Sequence, residues 1–269
     1  MISQAVVVVS DDNYHLHAEN LISSLTITNQ LHICWIQLGD GNVSEDFRIG
    51  ESSGISVLKK QVEGDSAEAR RTYAAICRFA LIDRIFEANT SLQSIFYIDA
   101  DSIVRGRISD LFSRFEESGA AIGLRTRKDD RHPYLAGFLL FNRDRSRDLL
   151  GILAAELKGV EHSWGADQDA LFKYLSSEFI FEIEPSFASW DFRRSLRVWS
   201  AKGHSRRRQP EFLFETKLVK LLSRFSPRIS QWVLPLVQLG TVVIHSLHLR
   251  ENYYLGRSLL SRVRSILRL

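Results

Sequence analysis

Two carboxylates stand two residues apart at Asp99 and Asp101, with the small Ala100 between them. In an extended turn this spacing brings the acids together and lets the backbone bend closely around a ligand. Like charges so close repel each other and desolvate poorly unless a cation joins them. Oxygen donors suit Mg2+ or Mn2+. A divalent ion bridging a diphosphate would neutralise charge on a departing nucleoside diphosphate, which is Lewis-acid chemistry. A solvated turn also produces Asp-x-Asp, so the pattern gains meaning only from what positions it.

The apolar stretch 95–98 reads as a buried strand that delivers Asp99 at its carboxyl end. Ligands of open α/β sheets sit beyond such ends. A second acidic pair, Asp11-Asp12, followed by Asn13-Tyr14, closes the β-branched run 6–10 in the same way. Between these points the pattern predicts a helix over 14–25, a strand over 31–38 and a loop over 40–54. A capping-box pair, Asp65 and Glu68, opens a long helix to about residue 87. That order makes 95–98 the third strand. Downstream come a helix capped by Ser109, strands over 120–124 and 137–141, helices over 144–157 and 167–175, and a strand over 180–183. The aromatic stretch 187–199 reads as irregular. The last 60 residues read as helical, with a strand over 241–244. Strands alternating with helices predict an α/β fold with a mostly parallel central sheet flanked by helices.

With 269 residues, 45% of them hydrophobic, the chain can bury a sizeable core. Its net charge of +3 hides an asymmetry: residues 186–269 hold 16 Lys and Arg against 4 Asp and Glu. A balance of +12 there against −9 over residues 1–185 suggests an anionic partner, whether nucleic acid, anionic lipid or phosphorylated glycan. Cys34 and Cys77 lack metal-ligand spacing and read as buried thiols. No basic leader precedes the first strand, so a cytoplasmic location is expected. The longest apolar run, 232–244, is too short and too broken to span a bilayer.

The stretch Ile95-Phe96-Tyr97-Ile98-Asp99-Ala100-Asp101-Ser102-Ile103-Val104, followed by Ile108-Ser109-Asp110-Leu111-Phe112, resembles the signature of glycosyltransferase family 8. These are the glycogenin-like and bacterial lipopolysaccharide glycosyltransferases, retaining enzymes with the GT-A fold. The resemblance covers roughly residues 5–250, and it implies roles for particular residues. Asp11, Asp12 and Tyr14 would hold the base and ribose of a nucleoside-diphosphate sugar, UDP-linked by resemblance. Arg78 would face the donor from the helix before the motif. Ala136-Gly137-Phe138-Leu139-Leu140-Phe141-Asn142 matches a small-Gly-apolar strand. Asp167 and Gln168, in Trp164-Gly165-Ala166-Asp167-Gln168-Asp169, would act at the donor sugar. Asp99, Ala100 and Asp101 would meet the diphosphate, and Asp99, Asp101 and His245 would hold Mn2+ or Mg2+. The family's late His is followed by a Gly-x-x-Lys-Pro-like segment whose Lys contacts the diphosphate. After His245 this chain has Ser246-Leu247-His248-Leu249-Arg250 instead, with Arg250 as the candidate cation, and Leu135 replaces a usual polar residue. The implied acceptor is a glycan or lipid-linked glycan, such as lipopolysaccharide. Residues 1–250 would form the catalytic domain, and residues 251–269 a basic amphipathic helix.

Each residue also has a plainer reading. Asp11, Asp12 and Asp167 could cap helices, Arg78 could pair along its own helix, and His245 could be a core histidine with His248 as its rival. Were the reaction inverting, Asp169 or Asp191 could serve as base. Two other functions compete. A haloacid dehalogenase-type phosphohydrolase would use Asp99 and Asp101 as nucleophile and general acid. A non-catalytic binder of nucleic acid or an anionic surface would use Arg206-Arg207-Arg208, although no nucleic-acid fold signature accompanies that run and no nucleic-acid partner is expected. Basic residues interleaved with Leu213, Leu218, Leu221, Leu222 and Phe225, and again over 257–268, suggest contact with an anionic membrane surface.

Overall fold

The structure is a computed structural model; its described residues are 2–39, 46–50, 52–62, 67–127, 133–158, 165–176, 179–225 and 227–249. Seven strands form the main sheet: β1 (Gln4–Ser10), β2 (His32–Gly39), β3 (Ile55–Gln61), β4 (Ser94–Ile98), β6 (Ile122–Thr126), β7 (Tyr134–Asn142) and β8 (Ile180–Glu182). Their order is β3-β2-β1-β4-β7-β6-β8. Only β7 runs against the rest, pairing antiparallel with β4 and β6. A small second sheet has the order β5-β10-β9, from β5 (Ser102–Val104), β9 (Ala188–Ser189) and β10 (Val198–Ser200).

Helices cover both faces, which is why the central strands read as continuous apolar runs rather than as alternation. On one face Val7, Val9, Ile95 and Tyr97 pack with Phe79 and Ile82 of α2 (Ala67–Ala88), Leu153 of α4 (Arg143–Lys158) and Leu171 of α5 (Ala166–Tyr174). On the other, Val6, Val8, Phe96 and Ile98 pack with Leu21 of α1 (His15–Thr28) and Phe112 of α3 (Ser109–Ser118). A third cluster joins Ile103 and Trp199 to α7 (Pro210–Leu222) and α8 (Pro227–Leu249). A buried ion pair pins the second sheet to α7: Arg105 Nε lies 2.7 Å from Glu215 Oε1. The short α6 (His204–Arg207) links β10 to α7.

Several expectations need correction. Residues 241–244 are not a strand but part of α8. Leu234, Val237, Thr241 and Ile244 are buried at helical spacing. Packing of that stripe outweighs the β-branched run Val242-Val243-Ile244. Asp99 follows the fourth strand, because residues 55–61 form β3 along one edge of the sheet. Half of β3 is exposed, so it lacks a buried strand's apolar signal. The cap of α3 is Ile108 rather than Ser109. Asp65 and the side chain of Glu68 lie outside the described residues, as do Arg250 and the expected helix over 251–269.

Candidate active site

A cleft of about 650 Å3 opens at the carboxyl ends of β1 and β4. Three segments named from the sequence meet in its lining: Asp11 and Tyr14 after β1, Asp99-Ala100-Asp101 after β4, and Asp167 and Gln168 in the first turn of α5. Arg78 reaches the same cleft from α2.

Arg78 ties two of these segments together. Its Nη1 lies 3.5 Å from Asp99 Oδ1 and its Nη2 lies 3.3 Å from Asp167 Oδ2. It also donates to the Ala136 carbonyl of β7 and stacks on the Tyr97 ring at 4.6 Å. Burial disfavours its charge, but Tyr97, Asp167 and Asp99 together raise its pKa, so the guanidinium stays charged. Its Nε donates to the Ala75 carbonyl of its own helix at 2.9 Å, but its acidic partners, Asp99 and Asp167, lie outside that helix, so pairing with an acid of the same helix does not describe it. Tyr97 donates from its hydroxyl to Asp99 Oδ1 at 2.9 Å. Burial holds that phenol well above its ordinary pKa, so it remains a donor. Gly137 completes the support: a Cβ there would sit 2.7 Å from Asp99 Oδ2. The small residue in the Ala136-Gly137 pair is thus what gives the carboxylate room.

Asp101 is buried, and its carboxyl is pushed up to about 6, first by burial and then by the charge of Asp99. Its carboxylate accepts from Ser200 Oγ of β10 at 3.4 Å, to Oδ1. Lys202 Nζ lies 3.7 Å from Asp99 Oδ2. Gly165, at φ 89°, opens α5 in the left-handed region and lets the chain turn Asp167 and Gln168 into the cleft. No side-chain cap bond forms there, so Asp167 is not the N-cap.

Asp11 has a double role, because its carboxylate accepts the Tyr14 backbone N–H at 3.0 Å while it lines the cleft. Burial raises the pKa of the Tyr14 phenol, and Arg207, stacked 4.8 Å over its ring, opposes that shift. Asp12 does not face the main cleft; it lines a neighbouring groove with His15 and Lys59. Asp169 is exposed and does not line the cleft.

His245 is not brought to the Asp pair. It sits on α8, where its Nδ1 lies 3.0 Å from Glu211 Oε1 and its ring packs 4.5 Å from that of Phe192. Among the described residues, no three His, Cys, Asp or Glu side chains converge as a metal site. What fits a hard divalent cation is smaller: the two carboxylates of Asp99 and Asp101, with the Ser200 hydroxyl beside them.

Sequence reasoning missed one side of the cleft, Arg127, Trp190, Lys202 and Gly203, and gave Arg206 beside them only to a rival function. The signal was present. The Gly-x-x-basic spacing sought after His245 occurs at Gly203–Arg206, directly after β10. The basic run 206–208, assigned from sequence to a non-catalytic binder of nucleic acid or an anionic surface, reaches the cleft instead through its first two residues. Arg206 lines the cleft and pairs with Asp191 at 3.5 Å, and Arg207 stacks on Tyr14.

Similarity to solved structures now bears on this geometry. The glycosyltransferase GlyE of Streptococcus pneumoniae TIGR4 superposes with a TM-score of 0.52 at 17% identity, covering 88% of this chain and 64% of that one. The bifunctional glycosyltransferase WbbM superposes with a TM-score of 0.53 at 14% identity, covering 76% of this chain and 46% of that one. The chain has a GT-A glycosyltransferase fold. It spans under two thirds of the length of both of these glycosyltransferases. No protein-family model and no curated protein matches the sequence. The haloacid dehalogenase-type reading of Asp99 and Asp101 belongs to a different fold.

Proposed function

We propose that the protein is a glycosyltransferase that moves a sugar from a nucleoside-diphosphate donor, UDP-linked by the sequence resemblance, to a glycan or lipid-linked glycan. The supporting observation is the meeting of Asp11 and Tyr14, Asp99 to Asp101, and Asp167 and Gln168 in one cleft of a glycosyltransferase fold. Fold alone does not fix a reaction; a site so assembled at the strand ends gives it a location.

In this reading Tyr14 and Asp11 receive the base and ribose. Asp99 and Asp101 would hold Mn2+ or Mg2+, which when bound supplies neutralisation of the diphosphate. Asp167 and Gln168 orient the sugar ring at the anomeric carbon. Arg78 does not need to touch the donor; by holding Asp99 and Asp167 it fixes the distance between the diphosphate end and the sugar end of the site. The acceptor hydroxyl bonds to the anomeric carbon from the leaving-group side as the bond from that carbon to the diphosphate oxygen breaks, and the hydroxyl proton passes to the departing diphosphate, giving retention. Lys202, beside Asp99, takes the place at the diphosphate that Arg250 held in the sequence reading.

We also propose contact with an anionic membrane surface. The apolar side of α7 is packed on the domain through Phe212, Phe214, Val219 and Leu222, and Lys220 is bound to Glu19 at 2.6 Å. Support comes instead from α8, whose Ile229, Trp232, Leu236, Leu239 and Val243 form an exposed stripe at helical spacing. Trp232 is 85% exposed.

The reaction is tested by incubating the protein with a panel of nucleotide sugars and Mn2+ and measuring free nucleoside diphosphate. Turnover of one UDP-sugar supports the reading, and release of phosphate from generic monoesters instead would sink it.

A further inference from the structure

The two carboxylate oxygens of Asp99 have different surroundings. Oδ1 accepts from the Tyr97 hydroxyl at 2.9 Å and lies 3.5 Å from Arg78 Nη1. Two donors use both lone-pair directions of that oxygen. Oδ2 lies against Gly137, and Lys202 Nζ stands 3.7 Å from it. Oδ2 is therefore the oxygen that a hard cation can share with Asp101. The charge of Lys202 is felt at Asp101 as well, where it opposes the effect of burial.

The two cations on Asp99 are held very differently. Arg78 is fixed by the Ala75 and Ala136 carbonyls and by Asp167, and its side chain is 4% exposed. The Lys202 side chain is 24% exposed and rests against the Trp190 ring at 5.3 Å. Gly203 follows it at φ 93°, with no described atom within 4 Å of where a Cβ would stand. The turn that carries Lys202 is thus unpacked on that side. A divalent ion binds a carboxylate oxygen at about 2.0–2.6 Å. An ammonium 3.7 Å from the same oxygen would then face a doubly charged ion at close range, and like charges there repel strongly. Of the two cations, Lys202 is the one able to withdraw. A diphosphate beside it offers anionic oxygens that an ammonium serves as a point charge.

We propose that Lys202 competes with the divalent cation for Asp99 Oδ2, and that the displaced ammonium moves to the donor diphosphate, so that one side chain couples metal binding to donor binding. The inference rests on the glycosyl-transfer reading and adds to it the residue through which its two ligands favour each other. Pairing with Asp99 and contact with the diphosphate are alternatives for the same ammonium. The coupling is reciprocal: the factor by which the nucleotide tightens the metal is the factor by which the metal tightens the nucleotide.

The test is Mn2+ binding to the whole chain, read from the electron paramagnetic resonance signal of free Mn2+, for wild type, K202M and K202R, each with and without saturating UDP. Without nucleotide, K202M should bind Mn2+ roughly tenfold more tightly than wild type, and K202R, which keeps the charge, should stay near the wild type. With UDP the gap between wild type and K202M should close, because the diphosphate then holds Lys202. Equal or weaker Mn2+ binding by K202M without nucleotide overturns the proposal. Failure of both proteins to bind Mn2+ overturns it together with the metal assignment. A second measurement needs no variant. Acetylation of Lys202 in the wild type, followed by peptide mass spectrometry, should speed up when Mn2+ is added and slow again when UDP follows. A rate that Mn2+ leaves unchanged overturns the proposal. Thermal unfolding of the variants separates these results from misfolding. A UDP effect of the same size in wild type and K202M keeps the glycosyl-transfer reading and removes Lys202 as the coupling. No effect of UDP on Mn2+ binding in any of the three proteins removes the nucleotide reading itself, and the transfer of Lys202 to the diphosphate with it.

Discussion

Arg78 and Asp167 form a buried ion pair, 3.3 Å apart with both side chains 4% exposed, that joins α2 to the first turn of α5. Asp99 shares the same guanidinium at 3.5 Å. Removing one partner of a buried pair leaves the other charge uncompensated, typically at a cost of about 3–5 kcal/mol. Arg78→Gln should therefore destabilise the protein by about that amount in urea denaturation. A change under about 1 kcal/mol would mean that Asp99 and Asp167 find other partners easily.

Gly137 tests whether the position of Asp99 matters. A Cβ at this residue would sit 2.7 Å from Asp99 Oδ2, so Gly137→Ala must push the carboxylate aside. Misplacing a catalytic group by about 1 Å can cost roughly 100-fold in rate. Donor turnover should fall on that scale, and full turnover in the variant would show that the carboxylate does not act from this place.

Asp101 gives a pH signature in the protein free of metal and nucleotide. Its native pKa, about 6, lies above the ordinary carboxylate value of 3.8. Between these values the native state binds more protons than the unfolded state, so this group's contribution makes stability fall as pH rises. The loss is complete above about pH 6 and is worth up to about 3 kcal/mol. Asp101→Asn cannot titrate and should lack this component while losing turnover. Parallel pH profiles of thermal stability for the two proteins would contradict the assignment.

The exposed stripe on α8 predicts interfacial binding. Vesicles containing anionic lipid should co-sediment the wild-type protein, and Trp232→Asp should weaken that binding, because Trp232 is 85% exposed and is the most exposed residue of the stripe. Equal sedimentation of both proteins would remove α8 from the membrane contact.

The sequence made the strand-end acids easy to find and the rest of the cleft hard. Val6 to Val9 and Ile95 to Ile98 are buried on both faces, so their apolar runs stop abruptly at Asp11 and Asp99 and mark the sheet's carboxyl edge. Arg78 and Asp167 were legible through the family resemblance, but their pairing depends on how α2 and α5 dock. The Trp190 side was hidden for two reasons. Strands β9 and β10 are two and three residues long, below what periodicity can register. The run Arg206-Arg207-Arg208 looks like a solvated patch until α6 turns Arg206 and Arg207 toward Trp190 and Tyr14. His245 misled because Val242-Val243-Ile244 has strand composition, whereas its surroundings impose helical packing.

The central claim is that Asp99 and Asp101 serve a nucleoside-diphosphate sugar. The direct measurement is nucleoside diphosphate released from a panel of nucleotide sugars with Mn2+, by wild-type protein and by Asp101→Asn of equal or greater thermal stability. The account predicts release from one UDP-sugar by the wild type and background release by the variant. Release by the variant at the wild-type rate would contradict it.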